Sequence, residues 1–97
     1  MSRAYWEELA QHDPLWAVLS DPAKAGRRWD LTEFMRTGER EIALLCFQLD
    51  QLGLPPPSGP ALDFGCGVGR LTQALAARVD AAIGIDVSAR MVDLARR

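Results

Sequence analysis

Residues 61–70 of this 97-residue chain read Ala-Leu-Asp-Phe-Gly-Cys-Gly-Val-Gly-Arg, with glycines at alternate positions 65, 67 and 69. Glycine adopts positive φ angles at little cost and lets a ligand approach the backbone where a Cβ would block it. The apolar run 61–64 predicts a buried strand, and residues 70–78 predict a helix. A strand, a glycine-rich turn and a helix in this order are typical of nucleotide sites in doubly wound α/β folds.

A second strand is predicted at residues 81–86, and it ends in the carboxylate of Asp86. Neighbouring parallel strands end at the same edge of a sheet, so Asp86 is expected close to the glycine turn. An acid in this place can accept hydrogen bonds from both hydroxyls of a ribose. Without the strand, the helix and this acid, the glycines would indicate only a tight turn.

The positions of the glycines and of Asp63 bear on which nucleotide is bound. The dinucleotide fingerprint has its third glycine three residues after the second, but Arg70 occupies that position and Gly69 comes one residue earlier. Asp63 stands two residues before Gly65, where a carboxylate would repel a pyrophosphate and attract a cation. The pattern therefore favours a cationic nucleoside, while a dinucleotide-dependent oxidoreductase stays open as an alternative.

Two segments together resemble class I S-adenosylmethionine-dependent methyltransferases. Residues 63–70 are similar to the first motif of that family, and residues 84–91 are similar to its second motif. The resemblance implies a Rossmann-like α/β fold, S-adenosylmethionine as cofactor and a methyltransferase activity. It covers only residues 61–97.

The resemblance also implies roles for individual residues. Asp63 would reach the methionyl amino group, and Asp86 would hold the ribose hydroxyls. Val87 would contact the adenine, and Met91 would border its pocket. The backbone of the glycine turn would line the methionyl and ribose path. The predicted cofactor-binding residues are Asp63, Gly65, Cys66, Gly67, Gly69, Asp86, Val87 and Met91.

The rest of the chain divides into a helical segment, residues 1–53, a proline-rich linker, residues 54–60, and the start of the α/β domain, residues 61–97. In the helical segment, Asp30 predicts the start of a short helix that ends by Gly38. A second helix is predicted over residues 39–52.

Side chains of the helical segment predict both a core and a cover for the cofactor. The apolar stripe of the predicted second helix, at Ile42, Leu45, Leu49 and Leu52, is expected to pack in the core. In the resemblance, N-terminal helices cover the cofactor and help to form the substrate pocket. Five aromatic residues are candidates either for that cover or for a small helical core, namely Tyr5, Trp6, Trp16, Trp29 and Phe34.

Composition narrows the classes of function. The net charge is −2, and the basic residues are scattered among acids, so no nucleic-acid surface is expected. No apolar run approaches the ~20 residues of a membrane helix. A cytoplasmic location is expected. Cys46 and Cys66 have neither disulfide-framework nor zinc-ligand spacing, so no metal site is predicted. Cys66 is interpreted as a small residue in a tight turn, and His12 as a turn or capping histidine.

We predict that the chain is the N-terminal part of a methyltransferase that acts on a small molecule. Only two strands of a larger parallel sheet are present, so the fold is expected to be incomplete and its open sheet edge to favour self-association. No catalytic residue is assigned. The second alternative is a non-catalytic module that binds a nucleoside or another chain.

Overall fold

The computed structural model describes residues 2–97, which contain five α-helices, one 3₁₀ turn and two β-strands. The elements in chain order are α1 (Arg3–His12), α2 (Pro14–Val18), a 3₁₀ turn (Pro22–Lys24), α3 (Leu31–Gln51), β1 (Pro60–Phe64), α4 (Arg70–Ala76), β2 (Ala81–Ile85) and α5 (Ala89–Ala95). The predicted order of strand, glycine turn, helix, strand and helix over residues 61–97 is confirmed. None of the helices within residues 2–97 has the length and apolarity to cross a bilayer.

The two strands form a parallel sheet in which Pro60 pairs with Ala81 and Phe64 pairs with Ile85. Helix α4 is the crossover between them and covers one face of the sheet. The opposite face is bare, with Leu62 63% exposed and Phe64 83% exposed. The prediction of a buried strand at residues 61–64 is therefore wrong for one of its faces. The parallel pair agrees with the predicted α/β class and with part of a Rossmann-like fold.

Helix α3 is continuous through Gly38, so the prediction of two helices with a break at this glycine is wrong. Asp30 begins the helix as predicted, and its side chain accepts a hydrogen bond from the backbone N–H of Glu33 at 2.9 Å. Gly38 is needed for a close contact instead. A Cβ at this position would lie 2.9 Å from the carbonyl carbon of Arg70 and closer still to its oxygen. The glycine lets the backbone of α3 touch the start of α4.

The apolar stripe of α3 is only partly in the core. Ile42 is buried and Leu49 is half-buried, but Leu45 is 41% exposed and Leu52 is 72% exposed, so the prediction is wrong for Leu45 and Leu52. The reason is length, because α3 has 21 residues and α4 has 7. At 1.5 Å per residue, α4 is about 10 Å long and covers roughly a third of α3.

The core joins the helical segment to the α/β part. Phe34 from α3 is fully buried in one cluster with Ala10, Val68 of the glycine turn and Met91 of α5. The indole ring of Trp29 meets the ring of Phe34 edge-on, with centroids 5.6 Å apart. Trp29 and Phe34 therefore belong to the core rather than to a cover over the cofactor.

Candidate cofactor-binding site

The glycine turn, residues 65–69, has the backbone conformation that its sequence predicts. Gly65, Gly67 and Gly69 have φ angles of 75°, 55° and 87°, a region that strongly favours glycine. A Cβ on Gly65 would meet only open space, whereas one on Gly67 would lie 3.1 Å from Cγ2 of Val18 in α2. The turn thus presents bare backbone at Gly65, and α2 packs against it at Gly67.

The turn is held to the end of β2 by main-chain hydrogen bonds. The carbonyl oxygen of Ile85 accepts from the N–H of Gly65 at 2.7 Å and from the N–H of Cys66 at 2.9 Å. A further bond inside the turn runs from the N–H of Gly69 to the carbonyl of Cys66 at 3.0 Å. These bonds bring the turn to the residue that precedes Asp86, as the parallel topology predicts.

The carboxylate of Asp86 links the turn to the start of α5. One of its oxygens accepts from the N–H of Gly67 and the other from the N–H of Ser88, both at 2.9 Å. A carboxylate oxygen has more than one acceptor position, so both oxygens keep capacity for further donors such as hydroxyls. Asp86 is therefore already oriented by the protein and remains able to accept from a ligand.

Asp63 lies in β1, two residues before the turn, and contacts α4. Its carboxylate accepts a hydrogen bond of 2.7 Å from the hydroxyl of Thr72. This bond occupies one acceptor position and fixes the direction of the side chain.

The side chain of Cys66, within the turn, packs against Gly84 of β2. Its Sγ would lie 2.8 Å from a Cβ on Gly84, so the thiol fills the space that this glycine leaves open. Burial raises the pKa of the thiol above its ordinary value of 9.0, and the negative charges of Asp86 and Asp63 raise it further. A thiol with a raised pKa is a poor nucleophile, which agrees with the interpretation of Cys66 as a small residue in a turn.

A cavity of about 540 Å³ opens beside the turn, within the ordinary size range of small-molecule sites. Four of the predicted cofactor residues line it, namely Gly65, Asp86, Val87 and Met91. The other four, Asp63, Cys66, Gly67 and Gly69, lie in or just before the turn and outside this lining.

Three further lining residues come from the helical segment, namely Trp6, Ala17 and Val18. Trp6 was among the aromatic candidates for a cover, but no pattern in the sequence pointed to Ala17 or Val18. The remaining lining residues are Phe64, Ile85 and Ser88. Within residues 2–97, Asp86 is the only charged residue in the lining, so the cavity is apolar with one acidic edge.

His12 lies apart from this cavity lining. It is the last residue of α1 and lines a second cavity with Asp13 and Arg27. The guanidinium of Arg27 donates to the carbonyl of His12 at 2.7 Å, which caps the end of the helix. The histidine thus stands at a helix end, as the interpretation of a turn or capping residue requires.

Comparison with known proteins gives one match. Residues 61–97 match a family model described as a methyltransferase domain. No curated protein and no solved structure matches the chain. The matched segment contains both motifs, residues 63–70 and 84–91, and confirms the family resemblance that they indicate.

Proposed function

We propose that residues 61–97, which match a methyltransferase-domain model, form part of a class I methyltransferase domain, and that the cavity beside the glycine turn binds S-adenosylmethionine. When bound, this cofactor supplies a methyl group on a sulfonium that a nucleophile can displace. The observation that carries the proposal is the charge around the turn. Asp86 accepts from the N–H of Gly67, Asp63 stands in β1 two residues before Gly65, and both carboxylates raise the pKa of the Cys66 thiol. The same negative potential favours a cationic ligand and opposes a pyrophosphate.

In this proposal, different residues bind the ribose, the adenine and the methionyl chain of the cofactor. Asp86 accepts from the ribose hydroxyls through the acceptor capacity left beside its bonds to Gly67 and Ser88. Val87, which is 61% exposed, and the thioether of Met91 supply apolar surface for the adenine. The open backbone of Gly65 admits the methionyl chain, and Asp63 attracts its ammonium group.

We assign the methyl acceptor to the class of small molecules. The apolar cavity continues onto Trp6 and Val18 of the helical segment, which supports that segment as a cover over the cofactor and as one wall for the acceptor. Methyl transfer from a sulfonium depends chiefly on in-line positioning of donor and acceptor. The contribution of these residues would therefore be to bind and orient, and no catalytic base is assigned.

The dinucleotide alternative makes the opposite prediction for Asp63. We propose to titrate S-adenosylhomocysteine and NAD into the wild-type chain and into Asp63→Asn, which keeps an oxygen for the Thr72 hydroxyl. If the Asp63 charge attracts the ammonium group of the ligand, the variant binds S-adenosylhomocysteine more weakly, by about tenfold for a loss of ~1.4 kcal/mol. Asp93→Asn, a change of the same charge in α5, should leave binding unchanged. Tighter binding of NAD by Asp63→Asn, with unchanged affinity for S-adenosylhomocysteine, would support the oxidoreductase alternative.

A further inference from the structure

Arg70 directly follows the glycine turn and is the first residue of α4, yet its side chain does not line the cavity. It is only 9% exposed. Charged side chains are rarely buried to this degree without a partner. In the sequence, Arg70 only interrupts the dinucleotide pattern, so its burial calls for a structural explanation.

The partners of Arg70 come from α3. Its Nη1 lies 2.8 Å from Oε2 of Glu41 and donates at 3.3 Å to the hydroxyl of Thr37. That hydroxyl in turn donates to the backbone carbonyl of Phe34 at 2.6 Å. The arginine is thus tied to one side of α3 by a chain of hydrogen bonds that ends at the fully buried Phe34.

A backbone contact reinforces these bonds. Gly38 lies between Thr37 and Glu41 on α3, and its missing side chain lets the helix meet the carbonyl of Arg70 directly. Phe34 also shares the core cluster with Val68, which lies inside the glycine turn. Helix α3 therefore holds the turn at two places on either side of Gly69, one apolar and one charged.

The position of the turn decides the position of Asp86. The N–H of Gly67 is bound to the Asp86 carboxylate at 2.9 Å, so a shift of the turn moves or frees the group proposed to bind the ribose. We infer that Arg70, held by Glu41 and Thr37, is a positioning residue for the cofactor site. Resting on the proposed function, this inference makes α3 a component of the site rather than a separable neighbour.

The test removes the charge of Glu41 and leaves the shape of its side chain. The Glu41→Gln variant leaves the Arg70 guanidinium, whose side chain is 10% exposed, without its carboxylate partner, and loss of one partner of a buried charge is costly. Glu41 itself is 57% exposed, so solvent offsets part of this cost. We expect the affinity for S-adenosylhomocysteine, measured by calorimetry, to fall about tenfold, which corresponds to ~1.4 kcal/mol. Asp93→Asn is the matched control, because Asp93 is about as exposed as Glu41 but its partners, Arg90 at 3.5 Å and Arg97 at 3.0 Å, are also exposed. This control should change affinity by less than about twofold, as exposed ion pairs contribute little.

A second readout needs no ligand and separates this inference from the proposed function. Amide hydrogen exchange at Gly67 and Gly69 reports on the two bonds that hold the turn, to Asp86 and to Cys66. Exchange at both amides should be faster in Glu41→Gln than in the wild type and unchanged in Asp93→Asn. The charge-exchanged double variant Glu41→Arg/Arg70→Glu should recover part of the protection.

Each outcome decides a different statement. If exchange is faster but the wild type binds no S-adenosylhomocysteine, the positioning role stands and the proposed function fails. If the wild type binds and Glu41→Gln binds equally well with unchanged exchange, the positioning role is refuted. A fall in the unfolding temperature with neither readout altered would show that the ion pair is structural only, which also refutes it.

Discussion

The substitution Asp86→Asn tests whether one carboxylate both builds the site and binds the ligand. In the wild type, its two oxygens accept from the N–H groups of Gly67 and Ser88 at 2.9 Å each. Asparagine has only one oxygen, so one of these N–H groups would face the NH₂ group of the new side chain. The change is nearly isosteric, and any loss of stability can be attributed to hydrogen bonding rather than to a cavity.

The magnitude follows from the two bonds. A hydrogen bond to a charged group contributes about 1.5–3 kcal/mol, and an N–H left without an acceptor adds a penalty. Asp86 is half-buried, so water offsets part of this loss, and we expect about 2 kcal/mol. For a domain of this size, 1 kcal/mol shifts the unfolding temperature by roughly 4–8 °C, so the expected decrease is about 8–16 °C.

Thermal unfolding followed by far-UV circular dichroism measures this decrease. Asp93→Asn is the control, since it makes the same chemical change at an exposed carboxylate whose ion pairs involve Arg90 and Arg97. The control should lower the unfolding temperature by a few degrees at most. Equal decreases in the two variants would refute the structural role of Asp86 and leave the glycine turn without its proposed anchor.

Three further predictions concern other contacts. In Gly84→Ala, the new Cβ would lie 2.7 Å from the Thr72 hydroxyl and 2.8 Å from Sγ of Cys66. We expect a loss of about 1–3 kcal/mol in the free energy of unfolding, measured in urea, and no loss would contradict the packing described here. The nearby Ser88 hydroxyl and the N–H of Arg90, which donates to Oε1 of Glu7 at 3.4 Å, hold the pKa of Glu7 below its ordinary 4.5, despite slight desolvation. A lowered pKa stabilises the fold above pH 4.5, so the difference in unfolding temperature between wild type and Glu7→Gln should disappear as the pH falls through the lowered value. Burial and two carboxylates raise the pKa of the Cys66 thiol. In a variant that lacks Cys46, iodoacetamide at pH 8 should therefore alkylate Cys66 far more slowly in the folded chain than in the chain unfolded in urea. Equal rates would show an accessible thiol.

Local sequence was sufficient to predict the glycine turn and Asp86. Positive φ angles at Gly65, Gly67 and Gly69 leave glycine as the favoured residue, and a parallel crossover brings the ends of both strands together. Each of these features depends on residues within a short stretch of chain. Sequence patterns report such features well.

Features that depend on contacts between distant segments were not predicted. A glycine inside a helical pattern either marks a helix end or serves a close contact, and the local sequence does not separate the two. Gly38 serves a contact with Arg70, which lies far along the chain. Val18 lines the cavity, and this too depends on a contact between distant segments. The local sequence of a short helix does not indicate which part of the protein its apolar residues will contact. The spacing of the apolar stripe predicts a helix face, as α3 has, but it contains no information on the length of α4, the helix that covers this face.

The most direct test of the central claim is a calorimetric titration of the purified chain with S-adenosylhomocysteine and, separately, with NAD. A cavity with an acidic edge, beside a turn that has two carboxylates nearby, should bind S-adenosylhomocysteine and leave NAD unbound. Circular dichroism and light scattering on the same sample establish that the chain is folded and dispersed. Binding of S-adenosylhomocysteine without binding of NAD is the predicted result, and binding of NAD alone to the folded chain would contradict it.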